Sequence, residues 1–352
     1  MLTLSRATTL TRAVLRWGAI AIVALIALNI LFKVGGAIKN SLFPPPPPAP
    51  TVAFGKLPTL KFPQNTITGE FSYTLETVSG ILPVTPLQIN VYKTVQNQPG
   101  LLSLQKARDR VSKAGFTKQE KQISSRVYQW TDDFGRTISF DIISNDFDLT
   151  SNFLQDQKIL TTKNLPNQEK AKAITTKLLE RLDLLPKEFA DFSFRESLLA
   201  IKNNNLMPAT SRSQADIVRL DFFPGLLDDK PIVYPQKNQA LINFLVAGNA
   251  DDAKTIVEAH YFYRAPDLKN STTYPIKTAD QAWQELTNNQ GFITGLDNKN
   301  IKAITVRNVY LGYYSSSQTQ DFYYPIFVFE GDNGFLGYVS AIDPAWLEEP
   351  TQ

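Results

Sequence analysis

The sequence predicts an α+β protein that begins with a single transmembrane helix and continues as repeated helix-plus-antiparallel-strand modules in two domains. Three observations lead to this fold class. An apolar run opens the chain, and an amphipathic helix followed by alternating strand patterns then occurs about three times. The length of 352 residues corresponds to two domains at roughly 100–200 residues each.

The composition excludes several kinds of functional site. The chain has no cysteine and one histidine, which removes disulfides, thiol catalysis, iron–sulfur clusters and sites built from several imidazoles. We accordingly predict no cofactor, no catalytic or metal-binding residues, and a protein that is not an enzyme.

The first predicted element is a membrane anchor over residues 14–38. This stretch is long and apolar enough for a hydrocarbon core of ~30 Å. Three arginines precede the apolar run, two lysines follow it, and a long chain lies downstream. Together these features predict a single-pass protein of the cell membrane, with residues 1–13 as a cytoplasmic tail and the later domains extracytoplasmic. A cleaved signal peptide is the alternative, but no Ala-x-Ala-like site follows the run.

The net charge of +3 comes from this region. The first 50 residues carry five basic and no acidic side chains, which leaves 31 basic and 33 acidic side chains in the remainder. The rest of the chain is therefore slightly acidic, and nucleic acid is not a predicted partner.

A proline-rich linker is predicted over residues 39–63. The run Pro44–Pro48 favours the stiff polyproline II conformation, which would hold the folded part away from the headgroups. Pro58 and Pro63 extend the linker, so a chain that starts near Gln64 is expected to fold without the anchor.

Three helices are predicted after the linker. The first begins at Ser103, which can cap it, and ends at Gly115. The second begins at Asn167, and the third begins at Thr278, where Gln281 is placed to complete a capping box.

Strands are predicted from alternating patterns at 126–130 and 137–142, joined by a turn, and at 216–223, 240–247 and 255–263. A closing meander follows, near 303–314, 322–330 and 335–342, and Pro325 within it predicts an edge strand. The polar stretch Thr161–Asn167 predicts the boundary between an N-terminal domain, residues 64–163, and a C-terminal domain, residues 164–352.

Two short motifs are better explained by local structure than by chemistry. Ser103 and Lys106 have the Ser-x-x-Lys spacing of penicillin-recognising enzymes, but the companion Lys-Thr-Gly strand is missing. The segment Asp132–Gly135 has the letters of a kinase metal-binding motif without the other kinase loops, and we interpret it as a hairpin turn.

Glu258 and His260 are predicted on one face of a strand. Such a pair is either acid–base machinery, a pH sensor or a contact on a half-exposed sheet, and we favour the contact. The acidic pairs Asp228-Asp229 and Asp251-Asp252 are predicted in solvated turns.

The C-terminal meander is rich in aromatic side chains. Several of its tyrosines are candidates for an exposed partner-binding face, with packing in the core as the alternative. The candidates are Tyr310, Tyr313, Tyr314, Tyr323 and Tyr324.

Four segments, Asp280–Leu286, Val309–Tyr314, Tyr324–Gly331 and Gly337–Asp343, resemble the C-terminal module of YycH/YycI-type regulatory proteins. The resemblance covers roughly the last seventy residues. It implies a single-span, extracytoplasmic protein that controls a membrane sensor kinase by contacting it.

These features predict a membrane-tethered extracytoplasmic binding or regulatory protein that acts through protein–protein contacts at the cell envelope. The predicted partners are the membrane and either a membrane protein such as a sensor kinase or an envelope glycan. The alternative function is an envelope enzyme that acts on glycan or peptidoglycan with a pair of carboxylates in one cleft.

Overall fold

The computed structural model describes residues 4–42, 48–65, 71–156, 159, 162, 164–236, 239–248, 254–296 and 301–349. The chain divides into two units, Met1–Ala49 and Pro50–Gln352. Three sequence predictions fall wholly or partly outside the described residues: most of the proline run, the pair Asp251-Asp252, and part of the stretch Thr161–Asn167.

The first unit contains one long helix, α1 (Leu4–Leu42). Its segment Leu15–Val34 has a mean hydropathy of 2.2 and exposed side chains, and its 20 residues correspond to ~30 Å of helix. The helix is therefore long and apolar enough to span a membrane, as predicted. It extends beyond the predicted bounds of 14–38 at both ends.

The second unit combines three described α-helices with two sheets. The helices are α2 (Ser103–Lys113), α3 (Gln168–Arg181) and α4 (Ala279–Thr287). The strands are β1 (Ser72–Leu75), β2 (Gln88–Thr94), β3 (Lys121–Gln122), β4 (Val127–Thr131), β5 (Thr137–Asp141), β6 (Phe147–Thr150), β7 (Ser193–Lys202), β8 (Asn205–Pro208), β9 (Ile217–Phe223), β10 (Ile232–Val233), β11 (Ile242–Ala247), β12 (Ile256–Tyr261), β13 (Pro266–Pro275), β14 (Phe292–Thr294), β15 (Ala303–Tyr314), β16 (Phe322–Gly331) and β17 (Leu336–Ser340). The α+β fold class is confirmed.

The local signals for these elements are confirmed in most cases. The Asn167 side chain accepts a hydrogen bond from the Lys170 amide at the start of α3, and Thr278 and Gln281 form the predicted capping box of α4. Gly135 adopts a φ of 79° in the predicted hairpin turn. The cap of α2 differs, because Leu102 is its N-cap and Ser103 is the first helical residue. The Ser103 hydroxyl accepts a hydrogen bond from the Gly100 amide instead (3.0 Å).

Nine antiparallel strands form one sheet in the order β3-β4-β5-β6-β12-β11-β9-β7-β8. The helices α2 and α3 pack on one of its faces, where they share a core with the inward side chains of the strands. In β9, Val218 and Leu220 belong to this core, and the strand alternation turns Arg219 and Asp221 to the opposite face. The opposite face therefore carries polar and charged side chains.

The other sheet contains eight strands, with the path β1-β15-β16-β17-β14. In addition, β10 pairs with β15, and β2 pairs with both β13 and β16. The pairs of β1 and β10 with β15 are parallel, whereas the sequence predicted antiparallel strands throughout. Helix α4 packs on this sheet through Ala282 and Leu286.

The predicted linker over residues 39–63 is too long at its C-terminal end. Leu57 and Leu60 are buried in the core of the eight-stranded sheet, and Phe62 packs against the same core. The Leu57 amide donates to the Trp346 carbonyl (2.8 Å), and the Leu57 carbonyl accepts from the Glu348 amide (2.8 Å). Residues 50–63 are thus part of the fold, because backbone and apolar partners near the C-terminus cover them.

The predicted domain boundary at residues 163/164 is also wrong. Strands β3 to β6 come from the N-terminal side of this boundary, and β7, β8, β9, β11 and β12 come from the other side. Both groups nevertheless share the nine-stranded sheet through the β6–β12 pair. Strands β1 and β2 likewise belong to the same sheet as β13 to β17. A boundary in the sequence does not separate the sheets, because each sheet combines strands that are distant along the chain.

Candidate binding surfaces

The tyrosines predicted as a partner-binding face lie in the core. Tyr313, Tyr314, Tyr323 and Tyr324 are at most 4% exposed, and Tyr310 is half-buried. Three of their hydroxyls donate to main-chain carbonyls, which satisfies the polar end of each ring within the fold. The exposed aromatic face expected from the sequence is therefore not formed by these residues.

The position of Pro325 explains this difference. Strand β16 is central rather than at an edge, with β15 on one side and β17 on the other. Side chains from its two faces enter different cores, as Ile326 and Phe327 show. Pro325 lies opposite Ala341, just past the end of β17, where it accepts a hydrogen bond from the Ala341 amide (3.0 Å) and needs to donate none. The sheet thus tolerates a proline that the sequence alone places at an edge.

The face of the nine-stranded sheet opposite α2 and α3 carries a row of polar residues, which we call the polar row. Cross-strand partners across seven strands contribute one residue each. The polar row consists of Gln129, Ser139, Asp148, His260, Asn243, Asp221 and Arg195. Sequence reasoning found only His260, because the other members come from strands up to 131 positions away in the chain.

His260 is bound by two carboxylates. Its Nδ1–H donates to Asp148 Oδ1 (2.5 Å) and its Nε2–H donates to Glu258 Oε1 (3.0 Å). The predicted Glu258–His260 contact on one face is confirmed, and Asp148 on the neighbouring strand is the partner that the sequence did not reveal. Burial of the ring opposes its charge, but the two hydrogen bonds and the two negative charges outweigh it and raise the pKa of His260 to about 9.

This geometry does not suit His260 for general base catalysis. The ring keeps its proton at neutral pH, and both nitrogens are used by carboxylates. Asp148 and Glu258 are in turn held by the imidazolium. We interpret the cluster as a charged contact that joins β6 and β12.

A polar cleft of about 410 Å³ lies beside His260. Amide, hydroxyl and imidazole groups line it, and the described residues of its lining include no acidic side chain. Its polar lining residues are Gln236, Gln239, Asn243, His260, Ser316, Ser317 and Gln318. The cleft therefore lacks, among these residues, the pair of carboxylates that the enzymatic alternative requires.

An apolar groove of about 350 Å³ lies elsewhere on the unit, and we call it the docking groove. The loop that follows β9, the start of β13 and the 3₁₀ turn Phe189–Asp191 form its walls. Phe192 and Leu227 are buried in the walls, whereas Leu226 and Leu268 are 67% and 68% exposed. An apolar depression with exposed leucines in its lining is a candidate surface for binding another protein.

The docking groove is also acidic. Glu188 and Asp191 line it, and no basic side chain does so among its described residues. The Tyr263 hydroxyl donates to Glu188 and orients this carboxylate, and burial together with this hydrogen bond raises the pKa of Tyr263. Within the described part of the chain, neither carboxylate forms an ion pair. The groove thus combines an apolar lining with two negative charges.

Comparison with known proteins finds similarity to a solved structure but to no family model. No protein-family model matches the chain, and no curated protein does so. A crystal structure of an uncharacterized protein from Eubacterium rectale is similar at 12% sequence identity, with 82% of this chain and 94% of that chain covered and a TM-score of 0.38.

Proposed function

We propose that the chain is a membrane-anchored protein whose second unit binds another membrane protein through the docking groove, without catalysing a reaction. The observation that carries the proposal is the pair of exposed leucines, Leu226 and Leu268, in one groove with Glu188 and Asp191, which form no ion pair with a residue that the structure describes. A segment that presents an apolar side chain next to lysine or arginine complements this surface in both respects. The apolar helix α1 and the resemblance to membrane-tethered regulators of sensor kinases support the same function.

The proposed orientation places the N-terminus in the cytoplasm and the second unit outside. Arg6 and Arg12 precede the apolar segment of α1, and Arg16 lies at its start, which supports this orientation. The absence of cysteine from the sequence allows a clean test with Thr8→Cys and Ser213→Cys. On intact cells, a membrane-impermeant maleimide should label Ser213→Cys at once and Thr8→Cys only after lysis. The opposite pattern would exclude this orientation.

The docking groove is tested by removing its apolar contacts. Full burial of a leucine contributes about 1.5–3 kcal/mol, so two leucines that are two-thirds exposed offer about 2–4 kcal/mol to a partner. We expect Leu226→Ser/Leu268→Ser to weaken binding of the co-purified membrane protein at least 30-fold. The matched control is Leu101→Ser/Leu102→Ser, which removes two exposed leucines outside the groove. Equal losses in the two variants would refute the assignment of the groove.

The charge of the groove provides an independent measurement. Asp191→Lys should weaken binding of the same partner, and raising the salt concentration should weaken binding to the unaltered chain, because exposed charge pairs are screened. If binding depends on the two leucines but not on Asp191 or on salt, the groove remains a binding site for an apolar segment, and a basic partner segment is excluded.

The enzymatic alternative is tested on the same material. Asp148 and Glu258 both bind the imidazolium of His260, which lines the polar cleft. An enzyme would be supported if the unaltered chain released soluble fragments from purified envelope glycan and Glu258→Gln abolished this release. Binding through the docking groove without such release supports the function proposed above.

A further inference from the structure

A separate pocket of about 210 Å³ lies between α3, the C-terminal end of α2, and the ends of β5 and β12. Its floor is apolar, with Ala114, Leu178 and Ile256 among the contributing residues. Every ionisable side chain among its described lining residues is basic: Arg136, Lys170, Lys177 and Arg181. We call this site the basic pocket.

Arg136 gives the basic pocket a fixed cationic wall. It is 7% exposed, its Nε donates to Asp132 Oδ2 (2.7 Å), and its Nη1 donates to the Ile256 carbonyl (2.9 Å). The guanidinium also lies 5.5 Å from the ring centre of Phe116. These contacts hold the guanidinium in place and use two of its three nitrogens. Asp132 balances the charge of this guanidinium, so Arg136 contributes a fixed hydrogen-bond donor, while the net positive charge of the pocket comes from α3.

The other cations follow from the periodicity of α3. Lys170, Lys177 and Arg181 are spaced by seven and four residues, so the helix places all three on one face towards the pocket. Like charges four residues apart destabilise a helix, and neither Lys177 nor Arg181 forms an ion pair with a residue that the structure describes. An anion bound between them would remove this repulsion.

We propose that the basic pocket is a binding site for a phosphate group, carried either by a free phosphate compound or by a lipid headgroup. The oxygens of one phosphate group can accept hydrogen bonds from guanidinium and ammonium groups at the same time, which matches the mixed arginine and lysine lining. The pocket lies apart from the docking groove and shares no lining residue with it. The proposal therefore holds or fails independently of the proposed function.

The test uses the full chain in micelles of a neutral detergent, with inorganic phosphate as the titrated probe and calorimetry as the readout. The pocket variant is Lys177→Gln/Arg181→Gln, and the matched control is Lys106→Gln/Lys202→Gln, which removes the same charge at exposed positions elsewhere. Both variants change exposed side chains, and thermal unfolding verifies that each remains folded. A second titration in micelles that contain phosphatidylglycerol tests the lipid headgroup as a competitor.

We expect inorganic phosphate to bind the unaltered chain and the control with affinities within twofold, and the pocket variant at least tenfold more weakly. Competition by phosphatidylglycerol would assign the site to a lipid headgroup, and phosphate binding without competition would assign it to a free phosphate compound. Equal phosphate affinity in the pocket variant and the control would overturn the proposal. Absence of phosphate binding to the unaltered chain in both kinds of micelle would also overturn the proposal.

Discussion

Removal of residues 50–63 tests how far along the chain the folded unit extends towards helix α1. These residues look like linker in the sequence, but in the structure Leu57 and Leu60 are 0% and 9% exposed. The Phe62 ring stacks on Phe292 with centroids 5.6 Å apart. A chain of residues 64–352 would therefore lose part of its core, whereas a chain of residues 50–352 would keep it.

The size of the effect follows from the contacts that disappear. Burial of two leucines contributes about 3–6 kcal/mol. The hydroxyls of Tyr274 and Tyr324 would also lose their acceptors, the carbonyls of Gly55 (2.7 Å) and Pro58 (2.8 Å). A polar group that is left without a partner on burial costs about 1–3 kcal/mol. The total is at least ~5 kcal/mol, which is comparable to the whole stability of an ordinary domain.

The assay is urea unfolding followed by tryptophan fluorescence. Residues 50–352 should unfold cooperatively, and residues 64–352 should either be insoluble or unfold with a free energy at least ~5 kcal/mol lower. Within residues 50–352, Leu57→Ala should cost about 2–5 kcal/mol. Leu101→Ala, at a fully exposed leucine, should change stability by less than ~0.5 kcal/mol. Equal unfolding midpoints for the two chain lengths would refute the inclusion of residues 50–63 in the core.

Three further predictions concern single substitutions in a chain of residues 50–352, and in each case the measured quantity is the free energy of unfolding. The pKa of His260 is raised from its ordinary value to about 9, so its stabilisation is complete below pH ~6.5 and disappears as the pH rises through 9. After a discount for the partial exposure of the ring, the free energy of unfolding measured in urea should fall by about 2 kcal/mol between pH 6.5 and 9.5, and His260→Gln should remove this fall. The same pH profile with and without the substitution would contradict the prediction. A Cβ on Gly331 would lie 2.5 Å from the Thr305 carbonyl oxygen, so Gly331→Ala should cost about 1–3 kcal/mol in urea unfolding, whereas Gly100→Ala should be nearly neutral. Thr278→Ala should lower stability by about 1 kcal/mol in thermal unfolding through loss of the capping box, and Thr278→Ser should restore most of it.

The sequence predicted well the features that depend on neighbouring residues. The apolar segment of α1, the caps of α3 and α4, and the hairpin turn at Gly135 each involve groups within a few positions of one another. A cap hydrogen bond or a positive φ has much the same free energy wherever the segment lies in the fold, so a short window is sufficient to predict it. The same window explains why the cap of α2 was misplaced by only one residue.

The candidate sites were less predictable, since each combines distant segments. The docking groove joins residues near 190, 226 and 265, and the basic pocket joins a turn at Arg136 with helix α3. The sequence did place Glu258 and His260 together, because strand alternation is local. It did not predict Asp148, whose position opposite His260 depends on the pairing of β6 with β12.

By itself the sequence determined the α+β class, one helix able to span a membrane, and the local starts and stops of most elements. Only the tertiary structure decided that residues 50–63 belong to the core, that Pro325 lies in a central strand, and that the C-terminal tyrosines are buried. The first and last of these outcomes depend on partners more than 200 positions apart, such as the Leu57 amide on the Trp346 carbonyl and the Tyr313 hydroxyl on the Asn90 carbonyl. The place of Pro325 depends on the pairing of β16 with a strand on each side. The free energy of burial depends on which segments of the whole chain pack against one another, and a local sequence pattern does not specify that packing.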